Sequence, residues 1–464
     1  MTGDAPMDMA TGSDLRLLLP EIAAVLTAVM ALVAGMLRRQ RWAEPIAVVG
    51  SLLAAGLAVP LIGDETTIFM GTFRVDDLAV WAKLILLPAT ALVTILAAAE
   101  VRGTDREATV YSLLVFVTVG ALALAGAADV MFVVLGLLLS SLGSFALVAY
   151  PRDDLATEAA MKYFVFGAVS GAVMIFGLTF WFGGTGSTLL IDLPRLGGKP
   201  LAAAAGLVAI LVGLGYKGAI APFHFWAPDA YDGAPVAIAA YLSVVPKIGA
   251  IFALAAVVRN LPADIVDWRF VIAALAVISM TYGNLAALPQ TNVVRLLAYS
   301  SIAQAGYFLL GVAALGQSNL AVRSLIVFAA AYAAMNLGAF AVTLGVGRDV
   351  DAFAGFGRSC PWVGAAMVVF LLSLVGLPPL AGFAGKLLLF GAAIDAGMTW
   401  LAVVAILNSV LSLAVYLRII VPMYRTAEPA PTLIHPVVAV SGVALVLTLL
   451  IGIGVEFVTS AIAP

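Results

Sequence analysis

Four lysines lie inside the apolar segments of this chain: Lys83, Lys217, Lys247 and Lys386. A lysine at the centre of a bilayer costs roughly 2.5–3.5 kcal/mol on insertion scales. Such an amine is nevertheless useful, because burial disfavours its charged form and a nearby carboxylate restores it. A row of amines connected by water can take up and release protons without a cofactor or covalent chemistry. The pattern therefore predicts a proton relay.

The four lysines differ in how easily they could reach water. Lys83 lies near the start of its apolar segment, so snorkelling of the amine to the interface and burial are equally expected. Lys217 lies close to the end of its segment. Lys247 and Lys386 lie deeper, and snorkelling explains them less well.

Two of these segments contain helix breakers beside a lysine. Lys217 is followed by the sequence PFHFWAPDAY at 222–231 and by GAP at 233–235, and GLPPLAGFAG at 376–385 directly precedes Lys386. Proline removes a helix hydrogen bond, and such a break is tolerated at membrane depth only where protein or water covers the backbone. Transporters carry paired breaks in inverted repeats. The pairing predicts two five-helix repeats with discontinuous helices 7 and 12. The alternative is that the prolines only kink helices for packing.

Other polar residues lie near these breaks. His224 titrates close to neutral pH, and it is equally well explained as a proton shuttle or as a hydrogen-bonded structural residue. Tyr299 stands with Ser300, Ser301 and Gln304 along the predicted tenth span. Small polar residues are also common between packed membrane helices, so this second group is ambiguous by itself.

The composition sets the class of protein. Of 464 residues, 63% are apolar and 11% are charged, and the mean hydropathy is +1.13, against about 25% charged residues in soluble domains. These values exclude a soluble globular enzyme, a disordered chain and a nucleic-acid binder. The single cysteine, Cys360, excludes a disulfide framework, a cysteine zinc site and an iron–sulfur cluster. Two histidines exclude a histidine-rich metal site.

Windows of about 20 apolar residues predict an all-α polytopic membrane protein with about fourteen transmembrane helices. No connection is long enough to form a soluble domain, and the first span has neither the length nor the cleavage site of a signal peptide. The predicted spans are 17–36, 45–62, 78–99, 108–127, 129–150, 161–183, 201–222, 236–257, 269–289, 297–316, 320–346, 361–395, 399–424 and 434–458.

The arginines and lysines of the connections favour one orientation. The connections that follow odd-numbered spans carry twelve of them, and the opposite side carries seven. Because positive charge accumulates on the cytoplasmic side, we expect both termini to lie outside.

Together these motifs are highly specific, and they resemble the antiporter-like membrane subunits of respiratory complex I and of Mrp-type cation/proton antiporters. The resemblance runs from about the fourth to the thirteenth span. It rests on Lys217, PFHFWAPDAY at 222–231, GAP at 233–235, Lys247, RLLAYSSIAQAGY at 295–307, NLGAF at 336–340 and GLPPLAGFAGK at 376–386.

The resemblance implies fourteen core helices and proton translocation driven by quinone reduction elsewhere in a complex. It assigns the input-side proton site to Lys217, the central relay to Lys247 and the output-side site to Lys386, with His224 and Tyr299 as neighbours of a water chain. The implied divisions are 1–107 for three N-terminal helices, 108–257 and 258–425 for the two repeats, and 426–464 for the last helix.

Within the family the chain is similar to the N type. The M type usually has glutamate where this sequence has Lys386, and the L type continues into a long lateral helix, whereas this sequence stops at Pro464. An N-type chain implies K- and M-type membrane neighbours, an indirect link to the redox arm, surrounding lipids and a bacterial inner (plasma) membrane. No cofactor is expected in this chain, and quinone, FMN and iron–sulfur clusters are expected in partner subunits. The alternative is a membrane subunit of an Mrp-type antiporter or a related ion-coupled transporter.

The sequence departs from the family at a position that matters for the lysines. The family normally has a glutamate in span five, where this chain has Leu138. It also has Gln304 and Val294 where histidine and lysine are common. Without that glutamate we expect altered coupling. An acid such as Asp129, or one from a neighbouring subunit, is the alternative.

Overall fold

The structure is a computed structural model, and it describes residues 12–425, 433–460 and 462. The apolar windows fold as helices, because backbone groups in hydrocarbon must be hydrogen-bonded within their own segment. In these ranges thirteen helices are long and apolar enough to cross a membrane, and Pro361–Val375 is a shorter apolar helix. The all-α fold with about fourteen transmembrane helices is confirmed.

The N-terminal part contains three crossing helices and a small hairpin. The two strands pair antiparallel, with Thr66 opposite Val75. The elements are α1 Gly12–Leu17, α2 Leu19–Met36, α3 Ala43–Ala58, β1 Thr66–Ile68, β2 Phe73–Val75 and α4 Asp77–Val101.

Two sets of five spans follow, and in each set the fourth span is broken. Because five is an odd number, the second set enters the membrane from the opposite side, which makes the repeats inverted. The first set is α5 Glu107–Ala125, α6 Val130–Val148, α7 Asp154–Thr185, α8 Pro200–Lys217 with α9 Trp226–Gly233, and α10 Val236–Val258. The second is α11 Trp268–Ala287, α12 Val293–Ala313, α13 Leu320–Val346, α14 Phe356–Ser359, α15 Pro361–Val375 with α16 Ala381–Asp395, and α17 Thr399–Met423.

The last elements of the described residues are α18 His435–Ile453 and α19 Val455–Ser460. The predicted start of the last division, at 426, lies outside the described residues. The domain divisions at 107/108 and 257/258 stay predictions.

The centre of the bundle is formed by α10, α12 and α13. Every residue of α10 is buried, and nearly all of α12 and α13 are buried as well. By contrast α2, α3 and α18 expose many large apolar side chains. Among the described spans, Lys247 therefore lies on the most enclosed one. Helix α7 stands out by its length of 32 residues.

Candidate functional site

The seventh span is interrupted directly after Lys217. Helix α8 ends at this residue and α9 begins at Trp226. Between them Ala219 has a φ of +52°, in the left-handed region that residues with a β-carbon rarely occupy. The backbone of the break is covered by protein, since the Ala221 amide donates to Ser279 Oγ at 3.0 Å. The predicted discontinuity of helix 7 is present.

Lys217 is buried, and its amine is surrounded by neutral oxygen atoms. Nζ donates to the Ser140 carbonyl at 3.1 Å and to the Tyr163 hydroxyl at 3.0 Å. A longer contact of 3.4 Å reaches Ser144 Oγ. Lys217 is also the last residue of α8, where the helix dipole favours a cation. No carboxylate of the described ranges lies within ion-pair distance of this amine.

Lys247 contacts Ser301, which links three helices. Its Nζ donates to the Ser301 carbonyl at 2.6 Å and also to the Ser301 hydroxyl. Tyr332 of α13 donates to the same hydroxyl at 3.1 Å, and the Tyr231 hydroxyl of α9 lies 3.5 Å from it. Ser301 therefore connects the central lysine to both repeats.

The twelfth span is interrupted between Val375 and Ala381. Gly376 ends α15 with a φ of +96°, which suits a residue without a β-carbon. The last carbonyls of a helix lack partners within that helix. Lys386 is the hydrogen-bond partner of these carbonyls in α15, because its Nζ donates to the carbonyls of Leu374 and Val375, both at 2.9 Å. The lysine of one half-helix thus caps the other half, and the discontinuity of helix 12 is present.

The remaining partners of Lys386 are a hydroxyl and an aromatic ring. Ser409 Oγ accepts from Nζ at 3.1 Å, and the Tyr307 ring centroid lies 3.8 Å from Nζ. An ammonium is attracted to the face of an aromatic ring. All three lysines therefore share one arrangement, in which carbonyls, hydroxyls and rings surround an amine and no carboxylate of the described ranges lies within ion-pair distance.

A hydrogen-bonded series connects the surroundings of the central and second-repeat lysines. Ser300, next to Ser301, lies 2.6 Å from the Tyr416 hydroxyl, counted Oγ to Oη. Gln304 Nε2 donates to Tyr416 Oη at 3.5 Å and to the Leu374 carbonyl at 3.1 Å. That carbonyl also accepts from the second-repeat lysine. Among the described residues of this series, only the step from Ser301 to Ser300 has no direct hydrogen bond.

Aromatic rings separate Lys217 from Lys247. Tyr163 stacks on Trp226 with ring centroids 4.2 Å apart, and Trp226 meets the edge of Tyr231 at 6.0 Å. Tyr231 then reaches the serine that holds Lys247. Trp226 therefore interrupts any continuous hydrogen-bonded chain between Lys217 and Lys247.

His224 and Tyr299 lie together beside Tyr282. The His224 ring is buried, with its centroid 4.6 Å from that of Tyr282, and Tyr282 lies 6.3 Å from Tyr299. Neither residue contacts one of the three lysine amines through a hydrogen bond. His224 Nδ1 has no hydrogen-bond partner in the described ranges. Their roles in a water chain stay predictions.

Leu138 points away from Lys217. Its side chain is 42% exposed on the outer face of α6, because residues two apart on a helix do not share a face. The face towards Lys217 instead presents Ser140 and Ser144. Sequence reasoning missed these two serines and Tyr163. Their signal was available, since two serines at i and i+4 line one face of a span that is otherwise apolar.

Asp129 is the helix cap of α6. Its carboxylate accepts from the amides of Met131 at 2.7 Å and Phe132 at 3.1 Å. Ser140, which contacts Lys217, lies about 16 Å farther along the helix at 1.5 Å per residue. The expectation that Asp129 supplies the missing acid is therefore wrong.

Snorkelling is also wrong for Lys83. The side chain is fully buried, and its Nζ lies 2.9 Å from Glu21 Oε1. Glu21 lies in the first turn of α2, next to the predicted start of that span. Sequence reasoning missed it because the partner is on another helix.

Asp229 and Asp232 of the short helix α9 are the centre of an ion-pair network. Asp229 accepts from Lys162 at 2.9 Å and from Arg295 at 3.0 Å. Asp232 lies 3.7 Å from Arg348. These pairs fix α9 to α7, α12 and the segment after α13. Among the residues that the structure describes, no group of three or more His, Cys, Asp or Glu side chains could hold a metal ion.

Comparison with known proteins agrees with this arrangement. The family model described as NADH:quinone oxidoreductase/Mrp antiporter, TM matches residues 127–412. NADH-quinone oxidoreductase subunit N of Mycobacterium sp. (strain JLS) is 41% identical over 91% of this chain and 93% of its own length. F(420)H(2) dehydrogenase subunit N of Methanosarcina mazei is 36% identical, over 93% of this chain and 95% of its own.

Solved structures share the fold. A chain of respiratory complex I from Thermus thermophilus with bound aureothin has a TM-score of 0.84 and 31% identity, covering 95% of this chain and 98% of that one. A chain of the Mrp complex from Dietzia sp. has a TM-score of 0.83 and covers 96% of both chains. At 22% identity the Mrp likeness shows the fold alone.

The inverted repeats, the broken helices and the buried lysines define a class of multi-pass membrane subunits that work inside multisubunit complexes. The chain belongs to the NADH:quinone oxidoreductase/Mrp antiporter family, which confirms the resemblance inferred from the sequence. Along nearly its whole length it is similar to N-type chains.

Proposed function

We propose that this chain is the N-type, proton-translocating subunit of an NADH:quinone oxidoreductase. The names of its relatives support the assignment to that complex. The observation that carries the proton role is that three deeply buried lysines are each held by neutral oxygen atoms, with no carboxylate in the described ranges to fix their charge.

Each amine can then respond to charge on its neighbours. Two unit charges about 10 Å apart interact by about 1.7 kcal/mol at an effective dielectric constant near 20. That exceeds the 1.36 kcal/mol that corresponds to one pKa unit. A positive charge on one lysine therefore opposes protonation of another at such a distance.

In the proposed sequence Lys217 receives the proton, Lys247 relays it and Lys386 releases it. The hydroxyls of Ser301, Ser300 and Tyr416 can each donate and accept a proton. Water has to complete the path between Ser301 and Ser300 and between Tyr416 and Lys386, because the Gln304 amide and the Leu374 carbonyl cannot pass a proton on. Gln304 orients the series but cannot change its charge. Between Lys217 and Lys247 transfer requires water to enter beside Trp226, which makes this step the gate. His224 and Tyr299 line a side branch of the water chain.

Altered coupling at Lys217 is part of this proposal, since Leu138 stands where the family has glutamate. The alternative is an acid of a neighbouring subunit that packs on the exposed face of α6 at Leu138. The proposed neighbours are the K- and M-type subunits in a bacterial inner membrane. Quinone, FMN and iron–sulfur clusters belong to partner subunits, and one cysteine cannot ligate such a cluster here.

The test is alanine substitution of Lys217, Lys247 and Lys386, one at a time, in the whole complex reconstituted into vesicles. We expect quinone reduction to continue while protons moved per electron fall. Lys199→Ala is the matched control, because Lys199 lies between α7 and α8 and donates only to the Gly184 carbonyl. Unchanged acidification in all three variants would show that the chain has only a structural role in the complex.

Co-purification separates this proposal from the antiporter alternative. An oxidoreductase subunit should be recovered with redox-arm subunits, and its proton transfer should require electron flow. Recovery with membrane subunits alone, together with sodium-dependent proton exchange that needs no quinone, would favour the Mrp-type function.

A further inference from the structure

Lys83 is a fourth buried lysine, and it lies outside both repeats. Its Nζ approaches Glu21 Oε1 to 2.9 Å, yet neither Nζ nor either Glu21 oxygen makes a hydrogen bond of good geometry in the described ranges. The Phe73 ring, 5.9 Å from Nζ, closes one side. The pair therefore has hydrogen-bonding capacity left over, which a pair that only holds two helices together does not need.

Both charged groups are shielded from water. Lys83 is fully buried in α4 and both carboxylate oxygens of Glu21 are buried, while the Glu21 side chain as a whole is 13% exposed in the first turn of α2. Glu21 thus faces the membrane side at which α2 begins. Lys83 faces the interior of the bundle.

Polar side chains continue from the Glu21–Lys83 pair along α4 towards the interior of the bundle. Asp76, Lys83 and Thr90 are spaced by seven residues, so they follow one face of α4. Thr90 Oγ1 lies 2.7 Å from Thr118 Oγ1, which lies 2.7 Å from Tyr241 Oη. These three hydroxyls are buried, and Tyr241 belongs to α10, the helix that carries the central lysine.

We propose that Glu21 and Lys83 form an additional proton-exchange site of this subunit, joined inward to the hydroxyls of Thr90, Thr118 and Tyr241. The site rests on the proposed function and adds a branch outside the two repeats. In each cycle the Lys83 ammonium gives a proton to the Glu21 carboxylate, which leaves a neutral amine and a carboxylic acid. Because the carboxylate oxygens of Glu21 are buried, release of that proton requires water to enter at the start of α2. Lys83 takes up another proton through water, about 10 Å along α4 from Thr90, and the ion pair is restored.

Lys83→Arg in the whole complex tests this directly. Arginine keeps the positive charge and can pair with Glu21, but it does not release its proton in a protein. We expect assembly and quinone reduction to persist, with a loss of protons moved per electron. Lys199→Arg is the control for the same exchange outside the spans. Protons per electron equal to the unaltered complex would overturn the proposal.

A second variant removes the charges without leaving one unpaired. Glu21→Gln combined with Lys83→Gln keeps polar side chains between α2 and α4, so we expect assembly with the same loss of protons per electron. Full pumping by this double variant would also overturn the proposal, as would failure of both variants to assemble, which would assign the pair to structure. Loss of pumping in Lys217→Ala but not in Lys83→Arg would leave the proposed function standing and remove only this site.

Discussion

Tyr163 shows how much one hydroxyl can matter when no counter-charge is present. Its oxygen accepts from Lys217 at 3.0 Å, and its ring is held by stacking on Trp226. A hydrogen bond to a charged group contributes about 1.5–3 kcal/mol. With only the Ser140 carbonyl and Ser144 remaining, the ammonium would lose a large part of its stabilisation.

We therefore predict that Tyr163→Phe slows proton transfer while the complex still assembles, because the ring and its stacking are retained. The measurement is the initial rate of vesicle acidification divided by the rate of quinone reduction. Tyr424→Phe is the control, since Tyr424 is 42% exposed at the end of α17. Equal ratios in Tyr163→Phe and the unaltered complex would show that the hydroxyl is dispensable.

We predict that Leu138→Glu changes the pH profile of proton transfer. A carboxylate on α6 two positions from Ser140 adds a negative charge near Lys217, worth about 1–2 kcal/mol at roughly 10 Å and an effective dielectric constant near 20. Leu135→Glu is the matched control, because Leu135 lies on the same exposed face one turn away. An identical pH profile for all three proteins would contradict the importance of the missing acid.

At the scale of single elements, the break in the twelfth span depends on one close backbone approach. A β-carbon on Gly382 would lie 1.7 Å from the Ser373 carbonyl oxygen, and the Gly382 amide donates to Ser373 Oγ at 3.0 Å. The start of α16 is therefore pressed against the end of α15. Lys386 depends on this contact, because it donates across the same break.

We predict that Gly382→Ala displaces α16 and lowers both complex stability and proton transfer. The clash is with backbone, so it cannot be relieved by a side-chain rotation. Gly442→Ala is the control, since nothing lies within 4 Å of a β-carbon there, and alanine is favoured over glycine in a helix by up to about 1 kcal/mol. Thermal dissociation and vesicle acidification of both variants measure the effect, and normal values for Gly382→Ala would contradict it.

The breaks could be predicted from the sequence because their cause is local. Prolines beside a lysine can be recognised without any knowledge of the neighbours. The hydrogen-bond partners of Lys386 could not be predicted, because the carbonyls of Leu374 and Val375 become its acceptors only once α15 and α16 face each other. For the same reason Glu21 was missed as the partner of Lys83, since the two residues lie on different helices and only packing brings them together.

At the scale of the whole molecule, Asp76 joins the N-terminal helices to the first repeat. Its carboxylate caps α4 at Ala79, bonds to Arg259 after α10 and lies 3.6 Å from Arg74. Burial opposes the charge, but the attraction of Arg259 and Arg74 outweighs it and holds the pKa of Asp76 below its ordinary value. Burial and Arg259 lower the pKa of Arg74 to about 10.

We predict that this junction weakens in acid. Because the pKa of Asp76 is lowered in the folded chain, its stabilisation is present above the ordinary value near 3.9 and is lost as the pH falls through the lowered value. Asp76→Asn keeps a capping side chain but not the charge, so it should be less stable at neutral pH and show a smaller further loss in acid. Thermal dissociation of the purified complex at both pH values measures this, and equal acid sensitivity of the two proteins would contradict it.

The overall organisation was largely predictable, since hydropathy alone places fourteen spans and an odd repeat length inverts the second set. Hydropathy could not predict which of the helices are buried within the bundle and which are exposed. Helices α10 and α2 are similarly apolar, yet α10 is entirely enclosed and α2 is largely exposed. That difference arises from which helices surround each one, as does the outward orientation of Leu138.

The 32 residues of α7 form a rod of about 48 Å, whereas the hydrocarbon layer is about 30 Å thick. A helix of this length fits only if it tilts or extends beyond the hydrocarbon layer. Tyr163 is carried on this rod, so any change of lean moves its phenol relative to the neighbouring ammonium. The acyl-chain length of the lipid should therefore influence how readily Lys217 is protonated. Lipids with shorter acyl chains should change the rate of proton transfer by this subunit although its sequence is unaltered.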